Sequence, residues 1–176
     1  MNTDIQNAAA TGNAAAFFRL IKSPVKFRMF LLSKLPSAFF SGVRVKYVDE
    51  NLCRVAVPYK WFSRNPFRST YFACLSMAAE MSTGVLAMGH LYKCDPPVSM
   101  LVVKVEGEFL KKAVGITIFT CEEGKRIRDT IAESISSGEG KPIRVKSIGL
   151  NSSGEPVAEF YITWSFKRKK SGLKIQ

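Results

Sequence analysis

Glu80 is the residue of this sequence whose position most clearly suggests chemistry. It lies in the middle of the stretch 65–89, where every residue after Arg68 except Glu80 is uncharged and most are apolar or small. A buried carboxylate without a partner is costly, so Glu80 must be neutralised, paired or kept for use. The function of the chain depends on which of these three applies.

A long helix is predicted to carry Glu80. About twenty residues of helix span roughly 30 Å, and a helix that is apolar on nearly every face belongs inside a domain. Asn65 is a favoured N-cap and Pro66 suits the first helical position, so the helix is expected to begin there or a few residues later. Gly89 suits its end, and His90 could interact with its negative pole.

The same stretch approaches the length of a transmembrane helix, but its polar residues argue against a membrane span. Besides Glu80 it contains five hydroxyl side chains, which are Ser69, Thr70, Ser76, Ser82 and Thr83. The helix is therefore expected to be the core of a water-soluble domain.

The cysteines indicate neither a metal site nor a disulfide framework. They stand far apart without a CxxC spacing, and His90 is their one possible companion as a metal ligand. The four are Cys53, Cys74, Cys94 and Cys121. No signal-peptide pattern begins the sequence, so we expect a cytoplasmic protein with free thiols and no metal.

The net charge of +12 and the pI of 9.7 favour anionic partners. These include nucleic acid, an anionic membrane surface and a phosphorylated small molecule such as coenzyme A. Aromatic residues do not alternate with Lys and Arg on a candidate exposed strand, and no nucleic-acid-binding motif is found, so nucleic acid is disfavoured.

The 176 residues, 47% of them hydrophobic, predict one domain at residues 14–170. A loose N-terminus at 1–13 and a tail at 171–176 are expected to flank it, and the basic run KRKKSG lies where the domain passes into this tail. Apolar residues recur at near-helical spacing between 17 and 32, which predicts two short helices, with Pro24 in the first turn of the second. These helices could pack on their own domain or lie on a membrane surface, and both interpretations stay open.

Alternating residues predict a largely antiparallel sheet around the helix. A hairpin is expected over 43–57, and strands at 98–110 and 113–121 read as antiparallel neighbours. A short amphipathic helix with Ile127, Ile131 and Ile135 follows. The strand through 143–150 slips in phase between 145 and 148, which suggests a bulge, and a strand at 158–166 completes the sheet.

The order of hairpin, long buried helix and antiparallel strands resembles the hotdog fold, an α+β fold in which a curved sheet wraps a central helix. The run NPFRSTYFACLSMAAEMSTGVLAM and the later strand VAEFYITWSFK resemble a thioesterase-like branch of the hotdog superfamily, near the phenylacetyl-CoA-type acyl-CoA thioesterases. The likeness covers roughly residues 15 to 170. In those enzymes an Asn precedes the helix and an acid follows fifteen positions later, as Asn65 and Glu80 do here.

The resemblance implies hydrolysis of an acyl thioester, with coenzyme A as part of the substrate and no separate cofactor. Glu80 would be the general base or nucleophile, Asn65 would orient water or the thioester, and the N–H of Phe72 would stabilise the oxyanion. Ser99, which opens the third strand, would assist. The likeness also implies that a dimer partner completes the site.

One segment departs from the family pattern. Where those thioesterases have His-Gly-Gly, this chain has Tyr71, Phe72 and Ala73, which lack the glycines that allow close approach of a substrate. Their side chains would narrow the substrate tunnel or line it for a long acyl chain. The alternatives are a non-catalytic acyl-thioester or lipid-binding protein, and a structural dimer in which Glu80 bonds Ser or Thr hydroxyls.

A homodimer or a dimer of dimers is expected, because an open sheet leaves edge strands exposed and pairing of two sheets covers them. The strand at 98–110 is the predicted contact.

Overall fold

A computed structural model describes the backbone of residues 2–169 and the side chains of residues 12–169. The tail predicted at 171–176 lies outside the described residues. Five α-helices are described, which are α1 (Asn2–Lys22), α2 (Pro24–Lys34), α3 (Pro36–Ser41), α4 (Phe72–Leu91) and α5 (Gly124–Ser137). The strands are β1 (Arg44–Val48), β2 (Cys53–Pro58), β3 (Val98–Phe109), β4 (Ile116–Cys121), β5 (Lys141–Leu150) and β6 (Pro156–Arg168).

The six strands form one antiparallel sheet in the order β1-β2-β4-β5-β6-β3, with α4 across its inner face. The predicted architecture of a curved antiparallel sheet around a central helix is confirmed. The predicted pairing of the third and fourth strands is wrong, because β3 pairs with β6 while β4 lies between β2 and β5. Alternation reveals which face of a strand is apolar, but it does not identify the neighbouring strand.

Helix α4 is the centre of the core. Twelve of its residues are buried, and it contacts β1, β2, β4, β5 and β6 as well as α1, α3 and α5. It is long and apolar enough to cross a membrane, but 67% of its most apolar window is buried inside the domain. Burial on all sides explains why the helix has no polar face.

Two N-terminal features differ from the prediction. Helix α1 begins at Asn2, so most of the segment predicted to be loose at 1–13 is helical. A third short helix, α3, follows α2, with Pro36 in its first turn and Gly42 in the left-handed conformation at its end. Pro24 occupies the first turn of α2, the position that the sequence assigned to it.

Strand β3 forms one edge of the sheet, and its apolar side chains are only partly covered. A register shift between Val102 and Lys104 changes which residues face inward. Leu101 and Val103 lie on the outward face up to the shift, whereas Val105 and Phe109, beyond it, are about half exposed.

In β5 the predicted phase slip between 145 and 148 is wrong. Val145, Ser147 and Gly149 continue the buried series without a break, and the register shift falls between Gly149 and Leu150. The apolar Ile148 faces outward, and the small Ser147 is the buried residue.

Candidate functional site

Glu80 lies near the middle of α4, partly buried between the helix and the sheet. Its carboxyl group receives no hydrogen bond or ion pair from any side chain or backbone group of residues 12–169. Burial raises the pKa of this carboxyl above its ordinary value, and no other cause contributes. The protonated form is therefore favoured more than in water, which suits a group that takes up a proton during a reaction.

The space beside Glu80 is created by Gly84, one helical turn later. A Cβ at Gly84 would lie 3.0 Å from Oε1 of Glu80 and 3.3 Å from Cζ2 of Trp164, a residue of β6. The indole N–H of Trp164 donates to Oγ1 of Thr83 at 2.9 Å, and this hydroxyl donates to the backbone carbonyl of Glu80, also at 2.9 Å. Trp164 is therefore fixed with its ring beside the carboxyl group.

The hydroxyl groups of α4 do not bond the Glu80 carboxyl. Ser82 donates to the carbonyl of Ala79 and pairs with Ser147, while Ser76 donates to the carbonyl of Phe72. These contacts therefore do not support the alternative in which Glu80 bonds Ser or Thr hydroxyls.

Asn65 is not the N-cap of α4, which was one of its predicted roles. Its carbonyl oxygen accepts from the backbone N–H groups of Phe67 and Ser69, at 3.0 and 3.1 Å. This local bonding closes a turn, and the helix begins seven residues later at Phe72. The turn continues to Thr70, whose N–H donates to the carbonyl of Ala113 at 2.8 Å. The Asn65 oxygen is therefore used by this turn within the chain, and its role in orienting water or the thioester stays a prediction.

The first N–H groups of α4 are available to a ligand. Tyr71 is the N-cap without a side-chain cap, and no acceptor among the described residues bonds the N–H of Phe72 or Ala73. A helix N-terminus leaves such donors unsatisfied and attracts negative charge. Tyr71 and Phe72 line an open cleft of about 580 Å³ together with Asn65 and Phe109. This cleft is a candidate for the binding of an anion or oxyanion.

Glu80 does not line this cleft, and the geometry of the helix explains why. Glu80 follows Phe72 by eight positions, which corresponds to about 12 Å along the helix axis. One thioester carbonyl cannot contact both groups across that distance. Within a single chain, the proposed base and the proposed oxyanion donor therefore cannot form one catalytic site.

Within the chain, Ser99 lies neither beside Glu80 nor in the cleft at the N-terminus of α4. Its neighbours Val98 and Met100 pack against the core, so Ser99 points to the opposite face of the sheet. Its hydroxyl donates to the carbonyl of Lys167 at 3.0 Å. The structure therefore gives Ser99 a role in pairing the edge strand.

His90 and the cysteines have structural surroundings. His90 lies in the last turn of α4, with Nε2 3.1 Å from the carbonyl oxygen of Glu50, and burial lowers the pKa of its ring. All four thiols are free, and Cys94 is the least buried of them. Among the residues with described side chains, no three His, Cys, Asp or Glu residues form a cluster that could hold a metal ion.

A second groove, of about 680 Å³, is lined by Arg54, Ile118 and Lys146 on the outer face of the sheet. None of the candidate site residues lines it. The groove is larger than the cleft at α4, but its lining includes neither Glu80 nor the N-terminus of the central helix, so we do not assign the chemistry to it.

Sequence reasoning missed two residues that shape the surroundings of Glu80. Trp164 is one of several apolar residues that alternate along the last strand, and Gly84 is one of several small residues in the helix, so nothing in the sequence singles them out by residue type alone. The i to i+4 spacing of Glu80 and Gly84 was the available signal, because residues four apart share one helix face.

Comparison with solved structures supports the fold. A probable thioesterase of unknown function from Pseudomonas aeruginosa is 20% identical, with a TM-score of 0.70 over 83% of this chain and 97% of its own. A putative thioesterase from Shewanella oneidensis is 12% identical, with a TM-score of 0.65 over 81% and 95%. A thioesterase from Haemophilus influenzae is 9% identical, with a TM-score of 0.58 over 86% and 95%. These similarities establish the hotdog fold.

Sequence comparison gives the family. None of the curated proteins matches the chain significantly. The model of one family, described as a domain of unknown function (DUF4442), matches residues 25–166 and so covers most of the chain. The chain therefore belongs to the DUF4442 family.

Proposed function

We propose that the protein hydrolyses an acyl thioester, with acyl-CoA as the substrate class and Glu80 as the general base or nucleophile. The observation that carries the proposal is the unpaired Glu80 carboxyl, whose pKa is raised by burial, in the central helix of a hotdog fold. A structural carboxylate would be expected to have a hydrogen-bonding partner, because an unpaired one is costly.

The chemistry requires a base and an oxyanion donor. As base, Glu80 removes a proton from water while the water oxygen attacks the thioester carbonyl carbon. The carbonyl oxygen becomes an oxyanion, which backbone N–H groups stabilise. The tetrahedral intermediate collapses, the carbon–sulfur bond breaks, and Glu80 returns its proton to the thiolate. The products are a carboxylic acid and coenzyme A.

The donor is proposed to come from a second subunit. Because about 12 Å of helix separates Phe72 from Glu80, a donor at Phe72 serves a base on the partner. The exposed apolar residues of β3 supply a self-complementary contact, since a two-fold axis places the same edge strand on both sides. Leu101 is 67% exposed at this edge, next to the exposed Val103. The proposed enzyme is therefore a homodimer.

The alternative, a non-catalytic protein that holds an acyl thioester or lipid, is favoured by one observation. Phe72 and Tyr71 present exposed aromatic rings at the helix N-terminus, where a smaller residue would give a thioester closer access to the backbone. In that case a ligand would bind in the cleft without turnover.

Thiol release from acyl-CoAs of increasing chain length distinguishes the two functions. The wild type is expected to hydrolyse at least one chain length, and Glu80→Gln is expected to lose most of this activity. Glu133→Gln, a matched loss of an exposed carboxylate on α5, should retain it. A blank for the protein's own Cys94 is needed because that thiol is only partly buried. Full activity in Glu80→Gln, or a retained acyl ligand in native mass spectrometry without hydrolysis, would contradict the proposal.

A further inference from the structure

Positive charge is concentrated in the first half of the chain. Residues 5–79 contain eleven Lys and Arg residues but only two acidic ones, Asp49 and Glu50. The ion pairs among the described residues all lie between positions 104 and 159, so none involves these eleven cations. A surface of this kind is attracted to polyanions, because its charges are not neutralised within the chain.

Helix α2, within this segment, has two apolar faces. Phe27 and Leu31 are buried against the domain. Val25, Met29 and Leu32 follow the i, i+4, i+7 spacing of a second face, and all three are exposed, Val25 at 73%. A helix that only covers its own domain needs one apolar face. The second face therefore lacks a partner among residues 12–169.

Aromatic side chains continue the exposed surface beyond α2. The rings of Phe40 and Phe62 are 5.5 Å apart, and those of Trp61 and Phe62 are 4.7 Å apart. Trp61 is 69% exposed, and the other two rings are also exposed. Ser63 is buried and its hydroxyl accepts the N–H of Lys60 at 2.9 Å, which fixes the short 3-10 helix Trp61–Ser63 that carries these rings. The hydrogen bond in this turn therefore helps to keep the aromatic rings in their exposed positions.

We propose that this aromatic-basic surface, formed by α2, α3 and the turn at 60–64, docks on an anionic lipid bilayer. Trp and Phe at an interface bury apolar rings near the headgroups, while nearby Lys and Arg attract anionic lipids. Lys60 and Arg64 flank the aromatic turn, and both are exposed and uninvolved in ion pairs with described residues. The aliphatic face of α2 favours acyl chains over nucleic acid, since nucleic acid offers it no apolar counterpart.

The docking surface adjoins the cleft at α4. The N–H of Tyr71 donates to the carbonyl of Ser63 at 2.7 Å, so the aromatic turn is tied directly to the N-cap of α4. A lipid-like molecule leaving the bilayer would thus meet the helix N-terminus next. The docking itself does not depend on the proposed hydrolysis.

Vesicle binding tests the inference through the two tryptophans. Trp164 is 4% exposed and bonded to Thr83, so a blue shift of emission on binding, and quenching by brominated lipids, would report on Trp61. The full chain is expected to bind vesicles of phosphatidylglycerol and phosphatidylcholine and to bind pure phosphatidylcholine much more weakly. Raising the salt concentration should weaken binding.

Three variants locate the contact. Lys60→Glu/Arg64→Glu should weaken binding about tenfold or more, since each cation near an anionic surface contributes substantially. Lys125→Glu/Arg128→Glu on α5 has the same charge change and should bind much more strongly than that variant. Phe40→Ser/Phe62→Ser should reduce lipid quenching of Trp61. Circular dichroism confirms that each variant is folded.

Three results would overturn the inference. The first is equal loss of binding in both charge-reversal variants, which would indicate a response to net charge alone. The second is an unshifted and unquenched Trp61 in the presence of anionic vesicles. If Phe40→Ser/Phe62→Ser instead changes the oligomeric state in ultracentrifugation, the surface is a contact between copies and the lipid assignment is wrong.

Discussion

A proline at position 72 would remove the proposed oxyanion donor and leave the rest of α4 unchanged. Phe72 is the first residue of the helix, a position where proline is well tolerated because its missing N–H is unpaired there in any case. Tyr71 has φ −63° and ψ 135°, an extended conformation that suits a residue before proline. Phe72→Pro is therefore expected to fold and to lack one N–H group.

The magnitude of the effect follows from the chemistry. Removal of one oxyanion donor costs about 10²–10³ in kcat, or roughly 2.7–4 kcal/mol of transition-state stabilisation. Phe72→Ala removes the ring but retains the N–H, so it is the matched control and should keep activity, with KM rather than kcat responding if the ring contacts the acyl chain. The assay is thiol release from the best acyl-CoA substrate.

Mixing the variants tests whether two subunits share the site. Glu80→Gln and Phe72→Pro homodimers are each expected to be nearly inactive. A mixed dimer combines both defects in one site and leaves the other intact, so random association should restore about a quarter of the wild-type activity. A site contained in one chain would show no restoration. Full activity of Phe72→Pro, or failure of a confirmed mixed dimer to regain activity, would refute the assignment of the donor.

Three further predictions follow from burial and packing. Because the pKa of Glu80 is raised, hydrolysis should increase as the pH rises through the raised pKa of this carboxyl. The folded state should become less stable over the same range, because the protonated carboxyl is the form that the folded protein favours. In thermal melts from pH 4 to 8, Glu80→Gln should lack this destabilisation and should be at least as stable as the wild type at neutral pH. Leu101→Glu/Val105→Lys at the β3 edge should yield monomers in ultracentrifugation and abolish hydrolysis, and an active monomer would contradict the shared site. Gly124→Ala should lower the free energy of unfolding in urea by about 1–3 kcal/mol, because the added Cβ would overlap the carbonyl oxygen of Glu50. Gly140→Ala is the control and should be nearly neutral, because its Cβ would lie 3.8 Å from the nearest atom.

The central helix could be predicted from sequence because its signal is local. A long run of apolar and small residues around one acid indicates a buried helix, whatever surrounds it. Of the two starts that the sequence left open, the later one is observed, again for a local reason. Asn65 followed by Pro66 is a good helix start, but the Asn65 oxygen is satisfied by two N–H groups of its own turn. The sequence does not show whether an asparagine side chain caps a helix or closes a local turn.

The order of the strands could not be predicted by the same means. Strands β3 and β4 have the alternation of a hairpin, but β3 crosses the sheet to pair with β6. Pairing depends on long-range packing around α4, and each strand's pattern is equally compatible with several neighbours. The register shift after Val102 adds to this difficulty, since it reverses which apolar residues of β3 face inward.

The candidate site was partly predictable for a similar reason. Glu80 stands out by its chemistry alone, whereas the contribution of Trp164 arises from a contact between residues 81 positions apart. The pocket for the carboxyl group also requires the absence of a side chain at Gly84, which composition cannot reveal. What the sequence supplied was the reactive group, and what it lacked was the surroundings that set its pKa.

The eight-residue interval along α4 has a mechanical consequence for the proposed dimer. One rigid helix carries the base of one site at its middle and the oxyanion donor of the other site at its N-terminus. A small sliding of α4 along its axis would alter the geometry of both sites together. The two sites of such a dimer are therefore mechanically connected, because any displacement of one α4 reaches both of them.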